Sequence, residues 1–252
     1  MARRHATRAA PNTEPAATAL PARVPAIDNL RGLAIIAMVV FHFSFDLRHF
    51  GFTSADFYRD PFWLHARTAI LSSFLLLAGA SLVLAQSTAQ GRARFWRQVA
   101  RVAAAAMLVS VASYIVFPQR YIWFGVLHAI ALALVLLRPL AGRPWVALGL
   151  GVAVIVAGNV WSSPWFDHRA WGWLGFMTAK PPTEDYVPLF PWIGVMLLGM
   201  AAAHALQRND FRALAVFAKL PAPLGMLGRH SLAIYLVHQP VLFGLVSLAA
   251  NK

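Results

Sequence analysis

The sequence predicts an all-α fold, a polytopic membrane helix bundle of about seven transmembrane helices. Three observations carry that expectation. Hydrophobic residues make up 59% of the 252 residues and charged residues only 12%, against roughly 45–50% and about 25% in soluble domains. The apolar residues gather in runs close to the ~20 positions that cross a hydrocarbon core. Those runs do not alternate with period two, as the strands of a membrane barrel would.

Taken in order, residues 1–26 (MARRHATRAAPNTEPAATALPARVPA) hold no apolar run and read as a flexible basic cytoplasmic tail rather than a secretory signal. Residues 27–252 form the membrane domain. Its first span is expected at about 29–47, opening after Asp28. The second, 66–86, carries the small residues of AGAS, suited to close helix packing. The third, 99–117, follows an arginine-rich stretch that is expected to be a loop over 87–98. The fourth and fifth, 122–138 and 145–161, are the shortest. The sixth, 188–206, opens at Pro188. The seventh, 229–249, is introduced by GRHS.

Charge sets an orientation. With the N-terminus inside, fifteen of the 22 lysines and arginines fall on the inner side and seven on the outer. That asymmetry follows the positive-inside rule and predicts a cytoplasmic N-terminus. The net charge of +13 is explained by these loop clusters, so nucleic acid is not an expected partner. There is no cysteine, which excludes thiol nucleophiles and zinc–thiolate sites. The long outer segment 162–187 carries Trp165, Trp171 and Trp173, read as an interfacial belt or as a lid over an outward-facing site.

The first span holds the densest chemistry. Arg31 and His42 are eleven positions apart, within about 20° of three full turns, so they share a helix face ~16 Å apart along the axis. Asp46, four residues beyond His42, shares that face and lies within side-chain reach. Asp28 can pair with Arg31. Ionisable groups inside a span are costly unless paired or wet, and mark function by default. A carboxylate beside an imidazole fixes its tautomer and raises its basicity, which suits a general base. His42 and Asp46 are therefore the catalytic candidates. His128, Asp185 and His238 stand near the ends or middle of other spans and are candidates for substrate binding. His42, His128 and His238 lack H-x-x-x-H spacing, so no metal is expected.

These stretches together resemble a family. IDNLRGLAIIAMVVFHFSFDL, FLLLAGASL, FGVLHAIAL and DYVPLFPWIGVMLLG, in that order over roughly 26–205, are similar to bacterial membrane proteins related to the catalytic domain of heparan-α-glucosaminide N-acetyltransferase. GRHSLAIYLVHQPVL is similar to the ending shared across the wider transmembrane acyltransferase group. Arg31-x10-His42 matches the Arg-x10-His pattern of a related membrane acyltransferase family, where the histidine is the proposed catalytic residue. The resemblance implies acetyl-CoA as donor from the cytoplasm and an amine or hydroxyl of a cell-envelope glycan or glycolipid as acceptor. It implies His42 as the base, with His49 as the fallback, and Arg31 near the donor phosphates. The partners expected are acyl-CoA, a glycan or lipid-linked acceptor, membrane lipid and, as an open option, a second copy of the chain. A transporter or flippase using the same polar path is the alternative, and a scaffold subunit a third class that intramembrane charge disfavours.

Overall fold

The computed structural model describes residues 24–86 and 91–250. The expected tail at 1–26 lies almost wholly outside them. Ten α-helices are described: α1 (Pro25–His49), α2 (Pro61–Gln86), α3 (Gly91–Val116), α4 (Val126–Leu137), α5 (Pro144–Val160), α6 (Arg169–Gly172), α7 (Leu189–Gln207), α8 (Ala215–Ala218), α9 (Ala222–Arg229) and α10 (Ser231–Ala250). Prolines at the first turn start α1 and α5, where the missing N–H costs nothing.

Five helices, not seven, are long and apolar enough to span: α1, α2, α3, α7 and α10. The expected fourth and fifth spans are shorter apolar helices, Val126–Leu140 and Pro144–Val160. They nonetheless run between the same two ends of the bundle. The near end is taken as the one holding Pro25, the far end as the one holding His49. At the near end Arg31 of α1 meets Ser81 of α2, and Gln86 of α2 donates to the Arg138 carbonyl just past α4, at 3.0 Å. His204 of α7 bonds the Ala141 carbonyl just before α5, at 2.7 Å. At the far end Asp185 reaches Val126 at the start of α4, and Gly158 of α5 abuts Pro191 of α7.

The fourth crossing is short because its outer portion is extended chain. Residues 120–124 lie parallel to 183–187, joined at Phe124 and Tyr186. Glu184 N–H donates to the Arg120 carbonyl at 3.0 Å, and Val187 N–H to that of Phe124 at 3.3 Å. The Thr183 hydroxyl donates to the Tyr121 carbonyl at 2.8 Å. Ser110 and Ser113 of α3 bond the carbonyl and the N–H of Ile122 at 2.6 and 2.9 Å. The backbone groups of this extended stretch are satisfied because protein partners supply their hydrogen bonds. Within the expected 87–98 loop the described residues, 91–98, are helix, so Arg92, Arg94 and Arg97 stand on α3.

The core lies among α2, α5 and α7, where Ala147, Met196, Met200 and Ala203 are fully buried. Close approach requires glycine there. A Cβ on Gly79 would strike the Met196 carbonyl, and one on Gly199 the backbone of Leu76. This bears out the packing role read from AGAS. Val40, Ile115, Val160 and Leu248 are 57%, 75%, 77% and 68% exposed, the apolar surface a bilayer would cover. On α1 and α10, ring and hydrogen-bond contacts pair His42 with His238, Asp46 with Gln239 and His49 with Phe243. Both series ascend together, so the two helices run parallel.

Gly79→Val and Gly199→Val should each lower the unfolding temperature in detergent, since overpacking against backbone costs about 1–3 kcal/mol. Gly149→Ala, where a Cβ meets nothing within 4 Å, should leave it unchanged or raise it. Thermal unfolding followed by size-exclusion chromatography measures all three, and equal effects would contradict this packing.

Candidate functional site

The far half of α1 meets α10, and three of the candidate residues gather there. His42 lies on α1 with its ring centre 5.0 Å from that of His238 on α10, the planes 64° apart. Asp46 is 1% exposed. Its Oδ1 accepts a hydrogen bond from Gln239 Nε2 at 2.9 Å. His238 Nδ1 bonds the Tyr235 carbonyl at 2.7 Å. Among the described residues, Asp46 Oδ2, His238 Nε2 and Gln239 Oε1 are buried without a hydrogen-bond partner. Such groups are rare in folded proteins, and three in one four-residue cluster mark it as a place where polar atoms of a ligand or solvent belong.

One detail differs from the sequence expectation. Asp46 shares a face with His42 as the spacing requires, but no hydrogen bond joins them. The carboxylate turns to Gln239 instead. A helix-wheel argument sees only α1, whereas the choice of partner depends on what the neighbouring helix presents.

Arg31 stands eleven residues from His42, so the structure does not bring it to the histidines. Its Nη2 donates to Ser81 Oγ at 2.6 Å, and its Nη1 lies 3.4 Å from Asp28 Oδ1. It thereby ties α1 to α2 at the near end. Five guanidinium donors are available in principle, so these two contacts leave others for a further anion.

His128 and Asp185 are engaged in the broken fourth crossing. Asp185 Oδ2 accepts from Val126 N–H at 3.0 Å, next to the α4 N-terminus, where a carboxylate also complements the helix dipole. His128 Nδ1 accepts from Gly125 N–H at 3.2 Å. Its Nε2 therefore carries the hydrogen and donates to Ser110 Oγ at 3.1 Å, which in turn donates to Ile122. Tyr235 links this region to the histidine pair: its ring lies 5.7 Å from His238, and it packs against the apolar cluster that includes Val126, Leu127 and Ala129.

At the far end, Trp165 and Trp171 stack at 5.2 Å and are exposed, while Trp173 packs on the core. Hydrogen bonds from Thr178 hold the Asp167 carboxyl below the usual carboxylate range. Burial pushes the Lys180 amine down.

Gln239, Tyr235, Ser81 and Ser110 escaped the sequence reading. Gln239 had a signal, since an amide inside an apolar span needs a partner. The serines had none, being indistinguishable from residues that bond their own helix. Among the described residues no three His, Asp or Glu side chains gather closely enough to hold a metal ion.

The family model described as heparan-alpha-glucosaminide N-acetyltransferase, catalytic, matches residues 23–240. The match takes in α1 through the middle of α10, and so every candidate residue above. No curated protein and no solved structure matches the chain.

Asp185→Ala should destabilise the protein by about 1–3 kcal/mol, because Val126 N–H loses its partner in a dry setting. Asp185→Asn keeps an acceptor oxygen and should cost less. Thermal midpoints in detergent give the ranking, and equal midpoints for the two variants would refute the capping role.

Proposed function

Because the chain belongs to the heparan-alpha-glucosaminide N-acetyltransferase catalytic family, we propose that it moves an acetyl group from acetyl-CoA to an amine or hydroxyl of a cell-envelope glycan or glycolipid. The observation that carries the proposal is the imidazole pair His42–His238, set beside the Asp46–Gln239 bond in the far half of the bundle. The donor enters at the near end, which is cytoplasmic, where Arg31 offers donors to its phosphates. The acceptor approaches from the far end, and the membrane is the bacterial inner membrane.

In this reading His42 accepts the proton of the attacking amine or hydroxyl. The freed lone pair then attacks the thioester carbonyl carbon. A neutral imidazole suits that task near neutral pH, and acidification removes its lone pair. Asp46 and Gln239 lie beside the base and hold polar groups of the acceptor. His128 and Asp185 shape the wall opposite α10.

A transporter would share the broken fourth crossing, since discontinuous spans line many transport sites. Here the freed backbone groups of that break are bonded to protein, which favours a fixed wall over a moving path.

His42→Ala should lower acetyl transfer by ~10²–10⁴-fold while leaving the protein monodisperse, and the wild-type rate should fall on acidification. Radiolabel transfer from acetyl-CoA to an envelope extract measures both. A monodisperse His42→Ala protein at wild-type rate would move the base to His49 or His128.

The orientation has its own test. Gly91→Cys should resist a membrane-impermeant thiol reagent in intact cells, and Ala170→Cys should react. The reverse pattern would invert the topology.

A further inference from the structure

We infer that His238 positions the proposed base: its Nε2 lone pair receives the N–H of His42 and so turns the other nitrogen of His42, lone pair outward, toward the acceptor. The inference rests on the acetyl-transfer reading above and assigns a role within it.

The tautomer of His238 is fixed by its neighbour. Its Nδ1 lies 2.7 Å from the Tyr235 carbonyl oxygen. A carbonyl only accepts, so the hydrogen sits on Nδ1 and Nε2 of the neutral ring is a lone pair. That nitrogen is buried and has no hydrogen-bond partner among the described residues. A buried acceptor without a donor is costly, and the nearest ring able to supply one relieves that cost.

The ring beside it is His42, with centres 5.0 Å apart. Two imidazoles joined by a linear N–H···N bond of about 2.9 Å have centres roughly 5 Å apart. No hydrogen bond joins the two rings as they stand, but their spacing admits one once the His42 ring turns about its Cβ–Cγ bond.

His42 needs such a partner. A neutral imidazole works as a base only when one nitrogen presents its lone pair, and its other nitrogen must then hold its hydrogen in a defined place. Asp46 is the group the sequence spacing suggests, but no hydrogen bond joins it to His42: Oδ1 accepts from Gln239 and Oδ2 has no partner. His49 packs against Phe50 and Phe243. His238 is the ring left in contact.

The chemistry balances without a further reactant. The acceptor N–H or O–H bond breaks and its proton passes to His42. The acceptor atom bonds the carbonyl carbon, the carbon–sulfur bond breaks, and the CoA thiolate takes the proton from His42. Through this sequence the second N–H of the imidazolium faces the neutral Nε2 of His238, a charge-assisted bond. His238 keeps its own hydrogen and touches neither reactant, so it is a positioning residue.

The test compares wild type, His238→Leu and His238→Gln in detergent, with radiolabelled acetyl-CoA varied against a fixed excess of an extracted envelope glycolipid fraction. Leu removes the acceptor atom, whereas Gln can offer its amide oxygen near the position of Nε2. His238→Leu should lower kcat by ~10–10²-fold, the size of a lost hydrogen bond to a charged group, with KM for acetyl-CoA within about twofold of wild type. His238→Gln should recover most of that loss. A monodisperse His238→Leu protein with wild-type kcat overturns the inference, as does His238→Gln no better than His238→Leu. If His238→Leu aggregates, His238→Gln alone decides: kcat within about tenfold of wild type at unchanged KM supports the role, and a larger loss overturns it. Wild-type protein that labels nothing in the extract overturns the acetyl-transfer reading instead.

Discussion

The architecture depends on one backbone constraint, the need to satisfy N–H and C=O groups where no water competes. Between α3 and α4 the chain runs extended, and it survives there because residues 120–124 pair with 183–187. Ser110 and Ser113 supply what the ladder leaves over. Asp185 then takes the first free N–H of α4. Remove this arrangement and α4 would have to begin elsewhere, shifting His128 and the wall that faces Tyr235.

Glycine packing serves the same end from another direction. Between apolar helices in lipid there is little hydrophobic gain from association, so contact must come from close van der Waals fit. Gly79 and Gly199 let α2 and α7 approach until each meets the other's backbone. A Cβ on Gly228 would likewise meet the Asp28 carbonyl, seating α9 against the start of α1. That contact sets where α10 begins, and so fixes the level at which His238 meets His42.

The site is thus a product of register. α10 ascends beside α1, and the series His42–His238, Asp46–Gln239 and His49–Phe243 places two imidazoles and a carboxylate–amide pair within one turn of each other. Arg31, on the same α1 face, lies a half-bundle away with Ser81 and Asp28. One helix face spans the distance between the two.

By itself the sequence determined the fold class, the family and the face of α1 that carries Arg31, His42 and Asp46. These depend on composition, on ordered motifs and on the fixed 100° per residue of a helix, all local quantities. It also exposed the weak fourth and fifth crossings, whose apolar runs were visibly short. The tertiary structure decided the rest. That Asp46 bonds Gln239 and not His42, that the His238 ring meets the His42 ring, and that His128 and Asp185 hold a break in the chain are choices between partners far apart in sequence. A helical period says which side chains share a face, but which of them meet across helices depends on axial register. That register is set here by glycine contacts and by backbone hydrogen bonds between segments some sixty residues apart, such as 184 with 120, and no single helix encodes it.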